Sequence, residues 1–479
     1  MRYFSSAVLD RTTGQFTTLE WKRRLETFGA RDEPTLAVGP NGEHDGICDM
    51  GMLTDRGRQT TFELGTRLRK LYIDQLEFLP PTLEDTDSLY LRATPIPRAL
   101  ESLQQTFVGL YPSNTRSPSL PPPTILLRTP GDETLFPNDS NCRRFAALSR
   151  AFAQRAADRW NDTDDMAYLN KVYSKWMPES SQQVAVNSRP RLSGIMDTIN
   201  ATMAHGPATK LPKEFYNPKA LEIIDKIAVD EWFAGYMESR EYRMLGIGGL
   251  LGDVVSRMVG SAEMASAGGK SGSARALDKT PVTEGKGTTP IRFALSGCHD
   301  TTIAGVLASL GAFEDKKWPP FTSHIAIEMF RKTDVASEAA ANGSPPAESM
   351  SIKEPARTPS RFKSFFSLSS FFGSSALASG APSNGIGRKP TEQLTEQEKA
   401  KLQGYYVRLR YNDRVVTVPG CRAPGNHLEG DESVCTLVSR QKKRHFSPLP
   451  PLPSLRISLY FRDTERPLKT DNHDNNEPL

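Results

Sequence analysis

The chain has 479 residues, 37% of them apolar, with 36 prolines, enough for one large domain with insertions or for two to three domains. Its 60 basic and 56 acidic residues leave a formal charge of +4, so no global field points to nucleic acid, and no run approaches the ~20 apolar residues of a membrane span. None of the five cysteines, Cys48, Cys142, Cys298, Cys421 and Cys435, is spaced for zinc ligation.

The opening "MRYFSSAVLDRT" is too short and polar for a signal peptide, and residues 1–131 read as α/β. Within them, Leu89, Tyr90 and Leu91 form a buried strand that Pro95 and Pro97 break. Ala99, Leu100, Leu103, Phe107 and Leu110 then mark a helix. Arg92 falls at the strand end and Arg98 in the first helical turn, where a cation opposes the macrodipole unless an anion lies nearby. Two arginines at such a seam suggest phosphate; taken alone, solvated surface arginines explain the pattern as well.

From 132 to 259 helical periodicity dominates, with Phe145, Leu148, Phe152 and Ala156 on one face, as expected for a helical cap inserted into the sheet domain. Such a cap either shapes substrate choice or only completes the fold. Residues 260–289 are rich in Gly, Ser and Ala and read as a flexible loop.

Residues 290–332 return to α/β. Phe293, Ala294 and Leu295 run into Ser296-Gly297, and Ile303, Val306, Leu307 and Leu310 repeat at helical spacing up to Gly311. His299 and Asp300 therefore sit on a strand-to-helix turn, where an open α/β sheet gathers ligands and a helix N-terminus attracts anions. The plainer alternative is that Asp300 caps the helix and His299 merely packs.

Residues 333–400 are a low-complexity insertion read as disordered. Within it "SRFKSFFSLSSFFGSS" (360–375) sets five phenylalanines beside Arg361 and Lys363. It reads either as a weak membrane-surface or partner contact, or as an unselected feature of a disordered arm. Asn138, Asn161 and Asn200 stand in glycosylation sequons, which also arise by chance, so the compartment stays open.

Together the two seams resemble the histidine acid phosphatase branch of the histidine phosphatase superfamily. There an "R-[SA]-T-x-x-x-R-x-x-x-S" segment, here Arg92-Ala93-Thr94 with Arg98 and Ser102, serves one phosphate pocket with a later "H-D", here His299-Asp300. The resemblance continues through "WPPFTSHIAIEMF" (318–330), "YYVRLRYNDRVVTVPGC" and "CTL". Upstream, "GMLTDRGRQTTFELGTRLRKLYIDQLEFLP" (51–80) leans toward lysophosphatidic acid phosphatase-like members. It implies a phosphoglycerate mutase-like sheet domain flanked by helices, with 401–437 supplying its C-terminal strands, and a C-terminal disulfide between Cys421 and Cys435. It also implies hydrolysis of a phosphate monoester through a phosphohistidine, without metal or other cofactor. By the same resemblance Arg92 and His299 hold the phosphate, Asp300 is the general acid, and Arg98 and Thr94 stand one layer behind.

The chain departs from the family where the nucleophile belongs. No "R-H-G-x-R-x-P" string occurs, and none of His44, His205, His299, His324, His427, His445 and His473 lies in its context. Either the protein binds phospho-ligands or acts as a scaffold without turnover, or the sequence is an incomplete gene product. The segment from Met1 resembles the stretch after the R-H-G loop in relatives, so a preceding strand and loop are expected to be missing. Val438-Ser439 can be encoded by GTGAGT, a usual splice-donor form, so the basic, proline-rich 438–479 is expected to be read-through intron and disordered.

Overall fold

The computed structural model describes residues 3–10, 15–22, 24–29, 33–39, 42–44, 51–137, 139–206, 211–266, 291–332, 386–389 and 393–438. Two hairpins open the chain: β1 (Tyr3–Asp10) with β2 (Gln15–Lys22), and β3 (Glu26–Phe28) with β4 (Pro34–Leu36). Among the described residues each pairs only within itself, so neither adds a strand to the larger sheets.

A parallel sheet comes next, ordered β6 (Ile125–Leu126), β5 (Leu89–Ala93), β7 (Phe293–Gly297). Every residue of β5 is buried, as a parallel strand covered on both faces should be. Strand alternation divides its contacts. Leu89 and Leu91 join Leu64, Leu68, Leu103 and Phe107 of α1 (Asp55–Arg69) and α2 (Pro97–Leu110). Tyr90 meets the guanidinium of Arg257, on α8 (Gly248–Ser266), 3.8 Å from its ring centre. Arg92 shares the parity of Tyr90 and so faces α8.

α1 begins at Thr54, whose hydroxyl accepts the Gly57 amide at 3.0 Å, and ends in a π-helical turn, Lys70–Gln75. It lies directly on α2 because both helices carry glycine at the crossing. A Cβ on Gly65 would stand 2.0 Å from the Thr106 carbonyl oxygen, and one on Gly109 2.1 Å from that of Phe62.

Between the two halves of the sheet come α3 (Arg143–Trp160), α4 (Asp164–Tyr173), α5 (Leu192–His205), α6 (Pro218–Glu238), α7 (Arg240–Gly246) and α8. Phe145 and Phe152 of α3 pack with Phe233, Tyr236 and Tyr242 against α9 (Asp300–Ser309). Residues 302–309 of α9 are all buried, the pattern of a helix enclosed on every side. Beyond α9 an antiparallel sheet centres on β9 (Tyr405–Tyr411). β8 (Ile325–Arg331) runs along one edge of it, while β10 (Arg414–Val416) and β12 (Asp431–Thr436) share the other, with β11 (His427–Leu428) outside β12. Cys421 and Cys435 form a disulfide across the end of this sheet.

The α/β class read from the sequence is the one observed. Two segment boundaries move. α8 continues to Ser266, into the stretch read as a flexible loop, because Val259 and Ala262 are buried against Ile386, Leu402 and Tyr405. The stretch read as a disordered insertion likewise ends in a helical turn, Ile386–Arg388, and in α10 (Glu396–Leu402), started by a capping box between Thr395 and Glu398. Residues 267–290 and 333–385, including the phenylalanine-rich 360–375, and the tail from 439 lie outside the described residues.

Gly65→Ala should destabilise the protein by roughly 1–3 kcal/mol or more, since the new methyl group meets backbone that cannot rotate away. Urea unfolding checks this; an unchanged midpoint would show that α1 and α2 do not cross so closely.

Candidate active site

The site grows from one strand pairing. β5 and β7 run parallel with Arg92 opposite Ser296 and Ala93 opposite Gly297, so their carboxyl ends, each followed by a helix, lie side by side. Gly297 permits this. A Cβ there would come within 2.5 Å of the Ala99 carbonyl oxygen, so only glycine lets the start of α2 cross the end of β7. The Thr94 amide extends the ladder by donating to the Gly297 carbonyl at 3.1 Å. One step later the Thr94 hydroxyl and His299 Nε2 are hydrogen-bonded, also at 3.1 Å. The two seams are thus joined, 205 residues apart in sequence.

His299, not Asp300, is the N-cap residue of α9, and its side chain makes no capping bond. Asp300 is the first helical residue. Its Oδ1 accepts the amide of Thr301 at 2.8 Å and its Oδ2 accepts the indole N–H of Trp318 at 2.7 Å. Trp318 is itself fixed: its amide donates to Asp225 Oδ1 at 3.0 Å, and its ring packs on Phe233 (4.9 Å) and edge-on to Trp232 (6.0 Å), all from α6.

Arg92 is only 3% exposed and already engaged. Its Nη2 donates to the Glu133 carboxylate and, at 3.1 Å, to the Thr134 hydroxyl, while its Nη1 stands 3.7 Å from Asp253 Oδ2. Arg128 holds that same Asp253 oxygen at 2.7 Å. The Nε of Arg92 is buried without a hydrogen-bond partner. Arg98, by contrast, is exposed and reaches the Gly51 carbonyl at 3.4 Å.

Several of these residues carried no local signal in the sequence. The stretch 133–136, read only as the entrance to the helical segment, touches both seams. Glu133 binds Arg92, the Leu135 carbonyl accepts the Thr302 hydroxyl at 2.5 Å, and the Phe136 ring stands edge-on to His299 at 6.1 Å. Nothing in a lone glutamate before Thr-Leu-Phe announces a fully buried carboxylate. Asp197 of α5 also escaped notice. The residue as a whole is exposed, yet desolvation of its carboxyl group by the protein around it raises it above the ordinary 3.8, with the charge of Asp300 adding to the effect and Arg98 opposing it.

Arg92, His299 and Asp300 thus come from the carboxyl ends of two paired parallel strands and the helix start that follows, a place suited to an anionic ligand. A family model described as the histidine phosphatase superfamily (branch 2) matches residues 11–343. The chain is 35% identical over 423 residues to a probable acid phosphatase of Schizosaccharomyces pombe, covering 88% of this chain and 79% of that one. It is 28% identical over 285 residues to lysophosphatidic acid phosphatase type 6 of Homo sapiens, covering 59% of this chain but 57% of that protein, little over half its length. Among solved structures, an apo phytase from Hafnia alvei aligns with a TM-score of 0.38 at 15% identity, over 61% of this chain and 74% of that one.

His299 should titrate below its ordinary 6.5, because burial disfavours the imidazolium and Arg98 repels it, while Asp300 and Glu133 pull the other way. The native state then binds this proton less readily than the unfolded chain, so this histidine's contribution to stability is present above 6.5 and is lost as pH falls through its lower native value. Proton NMR of the imidazole across pH 4–8 measures the midpoint. Arg98→Ala should raise it; a fall on that substitution would contradict the assigned electrostatics.

Proposed function

The chain belongs to branch 2 of the histidine phosphatase superfamily, and from that premise we propose that the crevice at the ends of β5 and β7 is a phosphomonoester site of the acid phosphatase type. Arg92 and His299 hold the phosphoryl oxygens in this reading, and Asp300 protonates the leaving oxygen. Thr94 and Arg98 stand behind them. The observation that carries it is the Thr94–His299 bond, which ties the Arg92 seam to the His299–Asp300 seam. A planar fork on Arg92 suits two phosphoryl oxygens, and a carboxyl group at a helix start beside the crevice suits proton delivery to a departing alkoxide.

The same reading assigns the nucleophile to a histidine that this sequence does not contain in an R-H-G-x-R-x-P context. The strand pairing supports a place for it. Among the described residues, β7 pairs on one edge only, with β5, and β8 on one edge only, with β9. Tyr72 sits against both strands, its ring 5.6 Å from that of Phe293 and its hydroxyl 2.7 Å from Glu328 Oε1. An extended segment on the free edge of β7 would present its carboxyl end beside His299. We therefore assign the 479-residue chain phosphate binding without appreciable turnover. The resemblance of residues 51–80 to lysophosphatidic acid phosphatases, together with 28% identity to the human enzyme, makes a lysophospholipid monoester our preferred ligand for this site.

The chain should show no measurable hydrolysis of p-nitrophenyl phosphate at acidic pH, since loss of an activated nucleophile costs on the order of a millionfold in rate. Robust turnover abolished by His299→Ala would overturn this and point to another nucleophile. Inorganic phosphate should still shift the His299 resonances. Arg92→Lys, which keeps the charge and loses the fork, should weaken that binding about tenfold; unchanged affinity would remove Arg92 from the site.

A further inference from the structure

Arg92 lies between two carboxylates, and the contacts to them are unequal. Glu133 takes Nη2 directly, its side chain having no exposed surface, and the same Oε1 accepts the amides of Thr134 (2.8 Å) and Leu135 (2.7 Å). Asp253 stands 3.7 Å from Nη1, beyond hydrogen-bond length, and is held at 2.7 Å by Arg128 and at 3.2 Å by the Thr134 hydroxyl. A carboxylate locked by two backbone amides cannot follow a moving guanidinium. It instead dictates where the guanidinium rests. Asp253, on α8, is the rival: it would draw Arg92 toward Arg128 if Glu133 let go.

The loop carrying Glu133 also reaches the other seam. Leu135 takes the Thr302 hydroxyl from the first turn of α9, and Phe136 stands against His299. The glutamate that orients Arg92 is therefore built into the same four residues that pack on the imidazole. Buried arginine–carboxylate pairs add little net stability as a rule, because desolvation offsets attraction, so specificity of orientation is the more economical reason for this one.

We infer that Glu133 is the positioning residue of the phosphate site, holding the Arg92 fork in the plane that meets a phosphoryl group and keeping it from closing the 3.7 Å gap to Asp253 into a direct hydrogen bond. This rests on the reading of Arg92 as a phosphate ligand. Glu133 touches no phosphate; it acts through Arg92. Removing its charge would also relieve repulsion of the anion, but it frees Arg92 to take the fixed carboxylate nearby. Loss of orientation is thus the dominant outcome expected.

The test uses the full chain and inorganic phosphate, followed through the His299 imidazole signals. Glu133→Gln should weaken phosphate binding at least tenfold. Adding Asp253→Asn should restore affinity to within about threefold of the unaltered chain, because the rival is gone. A merely structural glutamate gives the reverse order, since deleting a second partner of the arginine cluster then only worsens the protein. Unchanged or tighter binding in Glu133→Gln, or a double variant no better than the single, overturns the inference. Where Arg92→Lys also leaves affinity unchanged, it is the reading of the site that fails. Should Glu133→Gln not fold, the unaltered chain still decides. The nitrogen-15 signals of the Arg92 guanidinium should be separate, showing arrested rotation, before phosphate is added. Separation that appears only with phosphate makes the ligand, not Glu133, the orienting group.

Discussion

The parallel pairing of β5 with β7 is the constraint on which the rest of the site depends. Its register sets Ala93 against Gly297, so two chain segments some two hundred residues apart leave the sheet at the same level and turn into helices side by side. Shift that register by one residue and every side chain of β7 changes face, carrying the adjoining turn with it. Gly297 protects the register, because any side chain there would strike the Ala99 carbonyl and lift α2 from the sheet. The bond between Thr94 and His299 is a consequence of this alignment, not an independent attachment.

Burial of charge beside that pairing imposes a second condition. Arg92 points to the α8 face of β5, where Tyr90 and Arg257 already fill space, and it cannot stay charged there without partners. Glu133 and Thr134 supply them directly and Asp253 at 3.7 Å, while Arg128 shares Asp253, so two cations meet two anions within one connected set. The cluster thus joins the sheet, the loop before α3 and the middle of α8. Any anion that reaches Arg92 enters a neighbourhood already balanced, which restricts binding to ligands that bring correct geometry along with charge.

Much of this was legible in the residues. The apolar run Leu89–Leu91, the prolines after it and the helical spacing to Leu110 announce strand, turn and helix, and Phe293–Gly311 repeats the pattern; local signals suffice because these elements are regular and buried. Parity along β5 also places Arg92 on the opposite face from Leu91 before the fold is known. What lay beyond the sequence was whatever depends on distant partners. Glu133 is chemically ordinary until the fold buries it, and Trp318 reads as one more aromatic residue before Pro-Pro until its indole is found on Asp300. The continuation of α8 to Ser266 was hidden for the same reason. Its Gly, Ser and Ala content suggests a loop, and burial of Val259 and Ala262 against the 386–405 region overrides that propensity.

Trp318 shows how the helical layer bears on the site without entering it. Its ring belongs to both large apolar cores, one built on α3, α6, α7 and α9 and the other on α4, α5 and α6. Asp225 of α6 fixes its backbone, Phe233 and Trp232 fix its ring, and the one polar atom of that ring ends on Asp300. An indole donates one hydrogen bond and accepts none, so the Asp300 oxygen it meets acts as the acceptor. Asp300 Oδ1 likewise accepts a backbone amide, at the start of its own helix. Both oxygens of this carboxyl group are therefore held by donors. Any displacement of α6, on which Trp318 rests, moves the donor at one oxygen while the other stays fixed to its own helix. The helical segment in this way reaches Asp300, at the turn that follows β7, through a single side chain.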